Sequence, residues 1–157
     1  MTNTGVNKSA WRIASIYLRL ALGTAFLSAV ADRFGLWGPP GTPQVGWGTF
    51  GNFLSYAAKV NPWFPLSWIP VVGWTATVCE IVFGITLIVG FKTRFAASLS
   101  SLLLLAFALG MAFGLGIKAP LDYSVFTASA GAFLLACAPG YPLSLDSIRA
   151  KDTASSL

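Results

Sequence analysis

The sequence contains no histidine. Haem held by histidine ligands, histidine-bound zinc or copper, and Ser–His–Asp catalysis are therefore excluded for this chain. Cysteine is nearly absent as well, since Cys79 and Cys137 are the only two and both lie inside apolar runs. They form neither a Cys-x-x-Cys motif nor a four-ligand metal site. We therefore expect no metal, haem or flavin in this chain, and the sequence leaves open whether the two thiols meet.

Charged residues are also scarce. They make up 10% of the 157 residues, against 55% hydrophobic residues, whereas a soluble domain is roughly a quarter charged. So few charges cannot cover a core with polar surface, so lipid must be part of the solvent. The net charge of +5 is scattered around the apolar runs. Because no Lys/Arg patch is present, we expect no nucleic-acid partner.

Four apolar stretches are long enough to cross a bilayer, which requires about 17–25 residues. They cover residues 13–31, 69–91, 95–117 and 121–138. The sequence therefore predicts an all-α integral membrane protein, a single domain built as a four-helix bundle. We expect flexible tails at residues 1–7 and 147–157, which are polar.

The first apolar stretch has a second interpretation. Basic residues precede it, and Ala29-Val30-Ala31 resembles the small-x-small site of a cleaved signal peptide. A retained helix is preferred because the stretch exceeds the usual apolar length of about 7–15 residues and contains Arg19.

Lysine and arginine predict the orientation of the helices, because they are enriched in cytoplasmic segments. With the amino terminus inside, six lie on the cytoplasmic side and three on the other. The six are Lys8, Arg12, Lys92, Arg94, Arg149 and Lys151, and the three are Arg33, Lys59 and Lys118. Four crossings and this bias agree in placing both termini in the cytoplasm.

The long connection at residues 32–68 is then extracytoplasmic. Its apolar residues at 50–60 have helical spacing, with Thr49 as the expected N-cap and Asn61-Pro62 as the stop. This amphipathic segment either lies on the outer leaflet or caps the bundle. Indole rings prefer the headgroup level, so the tryptophans of this region are expected to be interfacial anchors. They are Trp37, Trp47, Trp63, Trp68 and Trp74.

Two charges lie deep inside the predicted spans, Arg19 in the first and Glu80 in the second, while Asp122 lies at the start of the fourth. Measured from the cytoplasmic boundary, Arg19 and Glu80 lie roughly 10 Å and 16 Å deep at about 1.5 Å per residue. A central charge costs about 2.5–3.5 kcal/mol on the insertion scale, so each needs a partner, and a long arginine side chain spans the difference in depth. The sequence predicts an Arg19–Glu80 pair. It is either a structural ion pair or a polar group facing a ligand such as a quinone.

A second polar group is expected at the outer face. It consists of Asp32, Arg33, Asp122 and Tyr123. Asp122 is suited to capping the amino terminus of the fourth helix, while Asp32 and Arg33 are suited to the lipid headgroups. Gly110 and Gly114 form one small-xxx-small pair, which favours close helix packing.

Three segments resemble the DoxX/DoxD family of bacterial and archaeal membrane proteins. Leu18–Gly23 is similar to the opening of that family's first helix. Glu80–Gly84, continuing through Gly90 to Arg94, is similar to its second helix and the turn after it. Leu121–Phe126 is similar to the start of its last helix. The match covers about residues 18–138, and the tryptophan-rich outer segment resembles the DoxD-type subset.

The resemblance implies a four-helix bundle in the cytoplasmic membrane of a prokaryote. It also implies a quinone-linked redox subunit, because DoxD-type proteins are associated with thiosulfate:quinone oxidoreductase. By the same resemblance, Arg19 and Glu80 correspond to the polar positions of the family. Many members end the first helix with Gly-Lys, whereas this chain has Arg33 after Asp32. The alternative is a non-catalytic scaffold for a redox or oxidative-stress complex. A quinone, a redox protein partner and a homo-oligomer are each compatible with the sequence.

Overall fold

A computed structural model describes residues 8–149, and within this range the chain is all α-helical with no β-strand. The numbered helices are α1 (Lys8–Arg33), α2 (Phe50–Val60), α3 (Ile69–Val89), α4 (Thr93–Leu115), α5 (Lys118–Asp122) and α6 (Val125–Ala136). A 3₁₀ turn at Leu66–Trp68 leads directly into α3.

Three of these helices are long and apolar enough to cross a membrane. The qualifying segments are Ser9–Arg33, Leu66–Val89 and Thr93–Leu115. Large apolar side chains on them, among them Ile13 and Leu102, are more than half exposed. Exposed apolar area of this extent is costly in water and not in lipid. The described chain therefore has the composition and helix lengths of a helical membrane protein.

The predicted fourth span is divided in two. Ser124 adopts a left-handed conformation, with φ 55°, between α5 and α6. The N–H groups of Tyr123 and Ser124 bond back to Ala119 and Leu121 and close α5. The continuous helix expected over residues 121–138 is thus wrong. At 12 residues α6 is about 18 Å long, shorter than the roughly 30 Å hydrocarbon core.

The three long helices and α6 pack in a ring, each in contact with two neighbours. α1 contacts α3 and α6, and α4 contacts the same two helices. A small apolar core, including Leu22, Leu87 and Leu135, lies between them. Ser101 of α4 and Ser129 of α6 each donate a hydroxyl to the other's carbonyl, at 2.9 and 2.8 Å. Such reciprocal bonds hold two helices together where no water competes.

The amphipathic helix expected at residues 50–60 forms over Phe50–Val60, and the Thr49 side chain caps it by accepting from the Asn52 N–H. α2 packs on α3 and α4 rather than standing apart from them. Of the two arrangements that the sequence leaves open, the structure has the one in which this segment covers the other helices. We call this end of the molecule, which contains α2 and the last turn of α1, the cap end. The opposite end, which contains the turn at residues 90–92 and residues 137–149, is called the tail end.

Glycines let the backbone of α2 approach α4. A Cβ added to Gly114 would lie 2.3 Å from the Lys59 carbonyl oxygen and 2.6 Å from the Val60 Cα. At Gly110, one turn earlier, the Val60 carbonyl oxygen would lie 3.2 Å away. The small-xxx-small pair therefore lets the carboxyl end of α2 pack directly against the backbone of α4.

The tail end contains a helical turn where the predicted tail begins. Residues 145–149 are helical, whereas the flexible tail is expected from residue 147, and its flexibility stays a prediction. The Asp146 N–H donates to the Gly90 carbonyl at 3.0 Å. Residues 1–7 and 150–157, the rest of the expected tails, lie outside the described residues.

Replacing Gly114 with alanine should loosen the cap, because a methyl group there meets backbone atoms that cannot move aside alone. We expect Gly114→Ala to lower the free energy of unfolding by roughly 1–3 kcal/mol, measured by thermal unfolding in detergent. Gly131→Ala on α6 is the matched control, since its Cβ would make an ordinary 3.4 Å contact with Leu18. Equal stability of the two variants would contradict this packing.

Candidate functional site

Two buried charges meet at the cap end. Arg33, the last residue of α1, and Glu80, in the middle of α3, are 2% and 3% exposed and form an ion pair. The same Arg33 nitrogen donates to the Thr77 hydroxyl at 2.9 Å. Side chains of a helix lean toward its amino terminus. Arg33 therefore extends back along α1 and meets Glu80 near the middle of α3.

Aromatic rings enclose the guanidinium group of Arg33. Its Cζ lies 3.8 Å from the ring centre of Phe53 on α2 and 5.3 Å from that of Trp47. The two rings pack edge to face, with centroids 5.4 Å apart. A cation against an aromatic face is stabilised most when water is excluded. The ion pair thus joins three elements of the cap end: α1, α2 and α3.

A cavity of about 680 Å³ lies beside this pair, between α1, α2, α3, α4 and the start of α6. Most of its lining is apolar, and Leu22, Phe26, Ala76, Leu104, Phe107 and Met111 are examples. The polar side chains of the lining are Asp32, Arg33, Tyr56, Asn61, Glu80 and Tyr123. An apolar cavity with a few convergent polar groups is typical of small-molecule binding sites.

Asp32 holds the connection after α1 against the cavity. Its Oδ2 accepts from the N–H groups of Gly46 and Trp47, at 3.0 and 2.9 Å. The side chain lines the cavity although the residue is only 7% exposed. Within residues 8–149, neither Oδ1 of Asp32 nor Nε of Arg33 has a hydrogen-bond partner.

Two tyrosines line the same cavity from different elements. Tyr56 lies on α2, and Tyr123 lies between α5 and α6. Burial, together with the nearby Tyr123, raises the pKa of Tyr56 above its ordinary value. Tyr56 is therefore a neutral hydroxyl at neutral pH, and it can both donate and accept a hydrogen bond.

The predicted Arg19–Glu80 pair is wrong. Arg19 is 2% exposed, but its guanidinium group donates to four backbone carbonyls at the tail end. Two of them, on Leu87 and Ile88, belong to the last turn of α3, and the others belong to Pro142 and Leu143. Arg19 also leans toward the amino terminus of α1 and hence away from Glu80. It satisfies the unpaired carbonyls and the negative end of the α3 dipole.

The residues around Arg19 tie the tail end together. Gly90, with φ 73°, ends α3, and a Cβ there would lie 2.6 Å from a nitrogen of Arg19. Asp146 accepts from the N–H groups of Lys92 and Thr93, both at 2.8 Å, and so caps α4. Arg19 is therefore a structural residue and does not line the cavity.

The predicted outer polar cluster is brought together only in part. Asp32, Arg33 and Tyr123 all line the cavity. Asp122 pairs instead with Lys118 on the exposed surface of α5, and it is not among the residues of the cavity wall. Arg33 was expected among the lipid headgroups, and the structure places it inside the protein.

The tryptophans differ in their surroundings. Trp47 packs against Phe53 and Arg33 at the cavity, so an outward anchoring role is wrong for this ring. The other four are half exposed, as interfacial anchors require, and their placement in headgroups stays a prediction. They are Trp37, Trp63, Trp68 and Trp74.

Sequence reasoning missed several residues of the site. Phe53 was taken only as part of an amphipathic pattern, and Thr77 only as part of an apolar run. The available signal was the α3 spacing, because Thr77 and Glu80 lie one turn apart on one face. Trp47 was predicted only as an interfacial anchor, and its contact with Arg33 leaves no signal in the local sequence.

The cysteines and carboxylates of residues 8–149 form neither a disulfide nor a cluster of metal ligands. Cys79 is a half-buried free thiol and Cys137 an exposed one. No three Cys, Asp or Glu side chains of the described part come together as metal ligands. That the chain needs no metal, haem or flavin stays a prediction.

No protein-family model, curated protein or solved structure matches this chain.

Asp146 should make the tail end sensitive to acid. Burial of its carboxylate raises the pKa, but the N–H groups of Thr93 and Lys92 and the nearby Arg19 outweigh this, and the pKa of Asp146 is lowered. A lowered folded-state pKa stabilises the fold above the unfolded value of about 3.9. This stability is lost as the pH falls through the folded-state pKa.

Asp146→Asn should therefore unfold at a lower temperature than the wild type at neutral pH, and the difference should close below about pH 4. Thermal unfolding in detergent over this range measures it. Asp122→Asn, which breaks an exposed pair, is the control and should change stability by less than about 1 kcal/mol. An Asp146→Asn deficit that stays constant down to about pH 3 would contradict the assignment.

Proposed function

We propose that this chain is a quinone-linked redox membrane subunit of the DoxX/DoxD type, with the quinone headgroup bound in the cavity beside Arg33 and Glu80. The observation that carries the proposal is a desolvated ion pair on the wall of an apolar cavity between helices that can span a membrane. Ionisable residues in such positions are costly, and they mark functional sites by default.

The proposed topology has four crossings, with the fourth made of α5 and α6 together. α5 and α6 cover residues 118–136, a length within the lower range for a span. α6 also packs on two of the long helices, α1 and α4. An even number of crossings, with the lysine and arginine bias, places both termini in the cytoplasm of a prokaryotic inner membrane.

The residues present fit a quinone. The volume of about 680 Å³ lies within the roughly 300–1,000 Å³ of small-molecule sites. The apolar lining suits an isoprenoid-substituted ring, and Arg33 and Tyr56 offer hydrogen-bond donors to ring oxygens. When bound, a quinone would supply a two-electron, two-proton acceptor.

The chain's own residues bind and shield the headgroup in this proposal. Arg33 is held in position by Glu80 and Thr77, so little side-chain entropy remains to be lost when it donates a hydrogen bond. Phe53 and Trp47 close the site from the α2 side and exclude water. The electrons come from a redox protein partner or a small reductant, because the sequence offers no redox-active group beyond two separated thiols.

The contacts of the two arginines support a revised assignment of the residues carried over from the resemblance. Glu80 keeps a ligand-facing role, and Arg33 takes the role expected of Arg19. Arg33 also stands near the end of the first helix, where many family members have lysine. The scaffold alternative predicts co-purifying proteins without bound quinone, and the experiment below separates the two.

Quinone occupancy tests the proposal. Protein extracted from native membranes should contain quinone detectable by mass spectrometry. Single removal of a buried charge costs about 3–5 kcal/mol, whereas replacing both partners by apolar residues is often neutral. The double variant Arg33→Met/Glu80→Met should therefore stay folded and lose bound quinone. Asp122→Asn, outside the cavity wall, should retain it. A wild-type protein without quinone, or a folded double variant with full occupancy, would overturn the proposal.

A further inference from the structure

Two neighbouring residues that line the cavity each have a buried polar side-chain atom without a partner within residues 8–149. The atoms are Oδ1 of Asp32 and Nε of Arg33. Four more atoms of the described part share this property, on Trp11, Ser15, Thr93 and Ser100, but their residues do not line this cavity. Buried polar atoms are nearly always hydrogen-bonded in native proteins. Two exceptions in residues that line the same cavity therefore suggest a ligand that completes them.

The two atoms require complementary groups. A carboxylate oxygen accepts a hydrogen bond and does not donate, whereas the Nε–H of arginine only donates. Asp32 and Arg33 are neighbours in sequence, yet they form no ion pair with each other in the described part of the chain, where Arg33 pairs with Glu80. Neither atom therefore satisfies the other.

The geometry points to a hydroxyl-bearing headgroup, and we infer that the cavity binds quinol more tightly than quinone, with Asp32 as the specificity-determining residue. This inference rests on the proposed function. A quinol hydroxyl donates to Asp32 and accepts from Arg33. A quinone carbonyl only accepts, so it satisfies Arg33 and turns its lone pairs toward the carboxylate of Asp32.

The size of the preference follows from the cost of an unpaired buried group. A hydrogen bond to a charged group contributes about 1.5–3 kcal/mol, and each 1.4 kcal/mol corresponds to about tenfold in affinity. We expect quinol to bind at least about tenfold more tightly than quinone.

Asp32→Asn is the variant that tests the role of Asp32 most directly. Its amide oxygen can still accept from the N–H groups of Gly46 and Trp47, which Oδ2 of Asp32 now accepts. Its amide nitrogen then replaces Oδ1 and presents a donor to the cavity. The variant should therefore lose the preference for quinol or reverse it, without losing the fold of the connection.

The experiment measures equilibrium binding of decylubiquinol and decylubiquinone to protein in lipid nanodiscs, with empty nanodiscs subtracted for partitioning. Wild type should prefer the quinol by at least about tenfold, Asp122→Asn should keep this ratio, and Asp32→Asn should bring it to about one or below. Unchanged preference in a folded Asp32→Asn variant would overturn the role of Asp32.

A wild-type measurement keeps the inference falsifiable if Asp32→Asn fails to fold. The dimethyl ether of decylubiquinol has no hydroxyl to donate and should bind at least about tenfold more weakly than the quinol. Equal wild-type binding of quinol and quinone would overturn the inference and leave the proposed function standing. Absence of binding by both, above empty nanodiscs, would overturn the proposed function itself.

Discussion

The arrangement of the cap end depends on one buried contact, the ion pair of Arg33 with Glu80. Either charge alone in a membrane interior would cost several kcal/mol, so the end of α1 must stay beside the middle of α3. The aromatic rings of Phe53 and Trp47 then cover the guanidinium group and fix α2 above it. Gly73, Gly110 and Gly114 let α2 pack closely on α3 and α4, and residues of all three helices line the cavity.

At the tail end a second buried arginine, Arg19, has a different role. Arg19 has no carboxylate partner at hydrogen-bond distance in the described chain; it binds carbonyls that α3 and residues 142–143 would otherwise leave unpaired in a dry environment. Both arginines lean toward the amino terminus of α1. This common direction takes Arg19 away from Glu80 and takes Arg33 toward it. One end of the molecule is therefore closed by backbone hydrogen bonds, and the other is left with charges beside a cavity.

Much of the helix content was predictable from hydropathy, because spans of about 20 apolar residues and an amphipathic Phe50–Val60 leave clear periodic patterns. The break at Ser124 was not predictable, since serine rarely adopts a left-handed conformation and no glycine marks the turn. The Arg19–Glu80 prediction compared the depths of two backbone positions and ignored the direction of the side chains. No contact was predicted for Asp146, just before the predicted tail, because its partners lie more than fifty residues away in sequence. Arg33 and Tyr123 were predicted to lie at the same end, and both line the cavity. The burial of Arg33 depends on its contacts with Phe53 and Trp47, which no local pattern predicts.

The most direct test of the account is a double-mutant cycle on the charges themselves. The free energy of unfolding in mixed micelles would be measured for Arg33→Met, Glu80→Gln and their combination, and in parallel for Arg19→Met with Glu80→Gln. The Arg33–Glu80 ion pair predicts a coupling of about 1–3 kcal/mol between these two residues, and additivity within about 0.5 kcal/mol for Arg19 and Glu80. Strong coupling of Glu80 to Arg19, with none to Arg33, would contradict it.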